Sequence, residues 1–288
     1  MDLTPEPTAV KRFETWDGLR IAYQEWGEGA AGAGKGTTGH ESAGPASPPA
    51  EQAALPPVVL HHGFVANADA NWVATGVVEA LTSAGRKVIA PDARGHGRSE
   101  KPHDPARYGE DRMARDLGVL LDTIDVPLLD LVGYSMGAIV SLIFASTDQR
   151  VRRLVIGGVG SGVIECGGVD RRAVPNDAII EALTVDDPSS LEVMPAAAAF
   201  RQLADALEGD RKALVAQSRS IYRGEIALGE ISAPTLLLAG DTDPLAIRPQ
   251  VLADAIPGGT LELLSGNHIE VLGDPRFKRA IVEFLARV

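Results

Sequence analysis

The stretch that most constrains this chain is Gly133-Tyr134-Ser135-Met136-Gly137. Residues 128–132 before it read as a short buried strand, and residues 138–145 after it as a helix with little polar surface. A serine therefore stands on a sharp strand-to-helix turn with glycine at i−2 and i+2. Only very small flanking residues let strand and helix approach so closely, and the serine itself is forced into a strained backbone conformation. The strain lifts the hydroxyl above the sheet edge. The helix that follows aims its first N–H groups at the same point, where an oxyanion could form.

The length, 288 residues with 45% hydrophobic and 23% charged, suits one domain with a large core and room for an insertion. A net charge of −12 argues against nucleic acid or an anionic membrane surface as partner. The basic doublets Lys11-Arg12, Arg152-Arg153 and Arg171-Arg172 make no patch. The one cysteine, Cys166, can form no internal disulfide and is expected to be inert. No apolar signal region opens the sequence, and no stretch is apolar for long enough to span a bilayer, so the cytoplasm is the expected location.

Read in order, residues 9–15 and 19–26 form two strands around Asp17-Gly18, a good hairpin signal. Residues 27–57 are rich in Gly, Ala, Ser and Pro and read as a flexible excursion between two strands. The G-x-G-x-x-G spelling at 34–39 has no helix after it, and Gly36 follows Lys35 where a Walker loop needs Ser or Thr, so no phosphate site is expected. Strands at 57–61, 86–92, 128–132 and 151–159 alternate with helices at 71–84, 108–124 and 138–145. The rhythm breaks over 160–232, which shows helical runs near 177–183, 195–207 and 210–221, and resumes with strands at 234–239 and 260–264 and helices at 249–255 and 275–287. The pattern predicts an α/β fold: a mostly parallel twisted sheet with helices on both faces, its core in 1–160 and 233–288, and a helical cap over 161–232.

A serine hydroxyl needs a base to take its proton and a third group to orient that base. Of six histidines, only His268 follows the last strand, at its carboxyl end, where sites form in parallel sheets. The acid is expected in Gly240-Asp241-Thr242-Asp243-Pro244, after the strand 234–239. Spacing leaves Asp241 and Asp243 both open, either of them equally suited to a turn. No His, Cys and carboxylate cluster has a metal-ligand spacing, so neither metal nor cofactor is implied.

Five motifs fall in order at strand ends: His62-Gly63, Asp92-x-Arg94-Gly95-x-Gly97-x-Ser99, Gly133-x-Ser135-x-Gly137, Gly240-x-x-Asp243 and Gly266-Asn267-His268. In these the chain resembles the α/β-hydrolase superfamily, and the Ser, Asp, His order agrees. The resemblance implies Asp243 as the triad acid, with Asp241 a turn residue. It implies backbone N–H groups of Phe64 and Met136 as the oxyanion donors. The arginine-glycine loop reads as architectural, with Arg94 tying loops together, and Trp72 as a packed residue. The activity implied is hydrolysis of carboxylic esters or lactones through an acyl-enzyme, on a small and mainly apolar substrate held under the insertion. Alternatives from the same resemblance are a carbon–carbon bond hydrolase of ring-cleavage products and a cofactor-free perhydrolase; from another class, a non-catalytic scaffold.

Overall fold

A computed structural model describes residues 7, 9–27, 55–186 and 194–287. The excursion expected over 27–57 falls, for residues 28–54, outside the described residues. Eight strands make one sheet: β1 (Val10–Glu14), β2 (Arg20–Trp26), β3 (Val58–His61), β4 (Val88–Pro91), β5 (Leu129–Tyr134), β6 (Val151–Gly157), β7 (Thr235–Gly240) and β8 (Gly259–Leu264). Their order is β1-β2-β4-β3-β5-β6-β7-β8; β1 and β2 run antiparallel to their neighbours and the other pairings are parallel.

Side chains alternate between the faces with the two-residue period of a strand. Val59, Leu131 and Leu154 point into one apolar layer, together with Met113, Leu117 and Leu120 of α2 (Glu110–Thr123) and Ile139 of α3 (Met136–Ala145). Val58, Val132 and Val155 point into the other, against Trp26, Trp72 and Phe277. That second layer is closed by α1 (Val77–Ser83) and, at the end of the chain, by an amphipathic helix (Pro275–Leu285) that buries Phe277, Ile281 and Phe284.

The helix expected over 71–84 is two pieces. A single π-type turn, Asp69–Val73, stops short, and α1 begins after Gly76, whose φ of +73° no regular helix accommodates. A Cβ at Gly76 would also meet the Lys278 amine at 2.8 Å.

Between β6 and β7 stand α4 (Gly162–Cys166), α5 (Asn176–Thr184), α6 (Pro195–Ala206) and α7 (Arg211–Ser218). The first of these lies ahead of the helical runs expected from 177 onward. Leu183, Ala204 and Leu214 from these helices pack on Phe64 and Val65, and Ala182 and Ala197 pack on Leu245. The insertion thus rests on the loops after β3 and β7. The remaining α-helices among the described residues are α8 (Pro249–Ala255), α9 (Glu270–Gly273) and α10, the amphipathic helix Pro275–Leu285.

Candidate active site

The chain leaves β3 for β4 on one side and returns to β5 on the other, so a crevice opens between the carboxyl ends of β3 and β5. His61 pairs with Gly133 in register, which puts His62-Gly63 beside Tyr134-Ser135. Ser135 has φ 53° and ψ −115°, a conformation that a side chain normally avoids. Its backbone is fixed from both sides: its N–H donates to Gly157 O at 2.8 Å and its carbonyl accepts from Ala138 N–H at 2.9 Å. The turn tolerates no larger neighbours. A Cβ at Gly133 would lie 2.2 Å from Gly137 O, and one at Gly137 would lie 2.0 Å from His61 O.

Asp243 and His268 are brought together by stitching of their two loops. Asp241 N–H donates to Leu264 O, Gly266 N–H to Asp241 Oδ1 and Thr242 N–H to Gly266 O. With Asp241 so engaged, Asp243 is the carboxylate that reaches the imidazole: His268 Nδ1 donates to Asp243 Oδ2 at 2.8 Å, and Leu245 N–H donates to Oδ1 at 2.8 Å. The Asp243 side chain is fully buried, while that of His268 keeps 13% exposure. The Tyr134 ring lies 5.2 Å from the His268 ring, centroid to centroid. A Cβ on Gly158 would come within 2.8 Å of His268 Cε1, and Ser135 hangs from the carbonyl next door on Gly157. His268 and Ser135 thus flank the dipeptide Gly157-Gly158. The serine hydroxyl makes no hydrogen bond among the described residues.

Three groups hold the loop after β3. Gly63 N–H donates to Asn71 Oδ1 at 2.9 Å, and Val65 N–H donates to His96 Nε2 at 3.1 Å. His62 Nδ1 donates to Gly63 O, and its Nε2 accepts from Ala93 N–H. Since Nε2 accepts in both rings, His62 and His96 are neutral Nδ1–H tautomers. Burial favours that state, lowering the pKa of His62 and holding His96 well below 6.5. Between the two tethered amides, Phe64 N–H has no acceptor among the described residues, and neither has Met136 N–H at the start of α3. Nothing in the sequence spacing singled out His62, Asn71 or His96 for this role. The one available signal was that two loops each carry a histidine beside a glycine.

Arg94 ties loops together, as expected. Fully buried, it donates to Asp116 and Asp17 and to the Arg107 carbonyl. Trp72 is fully buried in the core. Among the described residues no group of three His, Cys, Asp or Glu side chains converges as for a metal ion.

A cavity of about 690 Å³, counting its open mouth, lies between Ser135 and the helices of the insertion. Phe64, Met136, Val174, Ile179, Phe200 and Leu245 supply its apolar wall. Glu110 also lines it, buried, with Oε2 accepting Tyr222 N–H at 2.5 Å; burial raises its pKa.

A parallel sheet with a strained serine after β5, an Asp–His pair after β7 and β8, and helices on both faces defines an α/β-hydrolase. A family model described as alpha/beta hydrolase fold matches residues 56–165. A 2-hydroxy-6-oxononadienedioate/2-hydroxy-6-oxononatrienedioate hydrolase of Paraburkholderia xenovorans is 31% identical over 258 residues, 80% of this chain and 86% of that relative. A 2-hydroxy-6-oxo-2,4-heptadienoate hydrolase of Pseudomonas putida is 40% identical over 116 residues, 40% of this chain and only 41% of that relative's length. A solved structure of a hydrolase from Pseudomonas aeruginosa superposes with a TM-score of 0.73 at 24% identity, covering 98% of this chain and 100% of that one. The chain belongs to the α/β-hydrolase superfamily.

Proposed function

We propose that this chain hydrolyses carboxylic esters or lactones through an acyl-enzyme on Ser135. The observation that carries the reading is the 2.8 Å hydrogen bond from His268 Nδ1 to the buried Asp243, formed beside the strained serine turn. Asp243 fixes the tautomer that leaves His268 Nε2 free to act as a base. Ser135 Oγ adds to the substrate carbonyl as its proton passes to Nε2. The oxyanion takes the N–H groups of Phe64 and Met136, the two amides without an acceptor. Collapse expels the alcohol with the proton from His268. Water then adds to the acyl-enzyme, losing a proton to His268, and the acid departs as Ser135 recovers its own.

The four helices between β6 and β7 act as a cap that forms the roof of the cavity. The apolar wall fits an acyl chain of modest length, and the reaction as written needs no cofactor and no oxidising compartment, which suits the cytoplasm. Turnover of a series of p-nitrophenyl esters and lactones, compared with Ser135→Ala, tests the reading; hydrolysis by the variant at the wild-type rate refutes it.

A second reading is carbon–carbon bond hydrolysis of a ring-cleavage product by the same three side chains. Three relatives bear names of that kind. Arg171, at the cavity wall, makes no ion pair with a carboxylate among the described residues, its guanidinium donating to the Cys166 carbonyl instead. A ring-cleavage diketone turned over faster than any ester decides for this reading.

A further inference from the structure

One polar group at the cavity has no use in the chemistry above. Gln217, on the last turn of α7, is 1% exposed and lines the cavity next to Met136. Its Nε2 lies 2.7 Å from Met136 Sδ. A thioether can only accept a hydrogen bond, so the amide nitrogen, not the oxygen, belongs on the sulfur. That fixes the amide orientation and leaves Oε1 buried with no hydrogen-bond partner. A buried carbonyl without a donor is costly, and one at a cavity wall calls for an explanation. The remainder of the wall near it is not apolar either. Ser218, the next residue on the helix, lines the same cavity with a hydroxyl that both donates and accepts, and the Asn176 amide, which lines it too, is held there by donating to the Ser218 carbonyl at 2.6 Å.

We propose that Gln217 is a specificity residue, and that the substrate's acyl part carries a hydroxyl group. This deepens the ester reading and takes its site from it. The substrate hydroxyl donates to Gln217 Oε1 and accepts from Ser218 Oγ, while the methylenes between carbonyl and hydroxyl lie along Phe64 and Leu245. Met136 joins the two ends of the site: its N–H faces the oxyanion and its sulfur holds the Gln217 amide. A hydroxyacyl ester is the substrate class that satisfies all of these groups together. A site whose buried polar atom awaits a donor discriminates strongly against an analogue without one.

The test uses matched pairs of ethyl esters: butyrate with 3-hydroxybutyrate, and hexanoate with 6-hydroxyhexanoate. The wild type is expected to prefer one hydroxy ester over its parent by about tenfold or more in kcat/KM. Gln217→Leu keeps the volume and removes the acceptor, so the ratio of hydroxy to parent ester should fall at least tenfold. Binding is read separately by calorimetry on Ser135→Ala protein, with and without Gln217→Leu. If no ester is hydrolysed but the Ser135→Ala protein still binds the hydroxy ester more tightly than its parent, and loses that preference with Gln217→Leu, the ester reading falls and this one stands. Equal binding of both members of each pair, or a ratio untouched by Gln217→Leu in protein with wild-type circular dichroism, overturns it.

Discussion

The Tyr134 hydroxyl donates a 2.6 Å hydrogen bond to the main-chain carbonyl of His268. The residue before Ser135 thereby holds the backbone of His268, across 134 positions of sequence. Burial, with Asp243 nearby, pushes the Tyr134 hydroxyl well above its usual pKa, so it remains a donor across any practical assay range. Tyr134→Phe keeps the ring against His268 and Phe277 and deletes only this bond. Loss of a positioning bond of about 1.4 kcal/mol corresponds to about a tenfold loss of rate. The fall should appear in kcat with KM nearly unchanged, since the carbonyl touches no substrate; unchanged kcat would show that His268 is held by Asp243 alone.

The two aspartates of the loop after β7 should separate cleanly. Asp243→Asn removes the charge that orients His268 and is expected to lower kcat by roughly 10⁴-fold. Asp241 accepts from Gly266 N–H, a bond that an asparagine oxygen can keep, so Asp241→Asn should cost only a few-fold. The reverse ranking in kcat would transfer the triad to Asp241.

How far the site was legible depends on what each residue does. Ser135 and its glycines stand out in the sequence because a backbone geometry that excludes Cβ atoms leaves glycine at fixed offsets. The inner strands were legible because each is a short apolar run closed by turn residues, and β1 and β2 because Asp17-Gly18 marks the hairpin between them. Asp243 was not separable from Asp241 by spacing, since both suit a turn and their difference lies in which loop hydrogen bonds Asp241 accepts. The break at Gly76 was missed because an apolar 3.6-residue pattern continues across it. Gln217 was invisible: a glutamine among Ala, Val and Ser reads as surface, and only the fold carries it beneath Met136.

Acid should weaken the fold as the pH falls below about 6.5. Burial pushes His61 down to about 3 and holds His96 well below 6.5, whereas in the unfolded chain both take up protons below about 6.5. Their folded pKa values lie below the unfolded ones, so stability is full above about pH 6.5 and is lost as pH falls beneath it. The limiting loss is about 1.4 kcal/mol per pH unit for each ring. Asp116 works in the opposite sense: burial outweighs its Arg94 partner and holds it up to about 6, so the folded state keeps that proton and offsets part of the loss. Urea unfolding at about pH 7 and about pH 5 should show a net decrease of at least about 1 kcal/mol on acidification. A rise would mean that these histidines are not buried as described.

The cavity wall sets a chain-length profile. Each methylene buried against Phe64, Ile179 and Phe200 should improve transition-state binding by up to about 0.8 kcal/mol, about fourfold in kcat/KM. Rates on p-nitrophenyl esters are expected to rise from acetate to butyrate or hexanoate and to fall for long chains once the cavity is full. A flat profile would count against the apolar wall as the acyl site.

The most direct measurement of the central claim is turnover by Ser135→Ala. With p-nitrophenyl butyrate as substrate, the variant should fold, bind the ester and lose kcat by roughly 10⁴-fold or more, the residue of activity coming from the oxyanion donors alone. A folded variant that hydrolyses the ester within a few-fold of the wild type would contradict the acyl-enzyme mechanism.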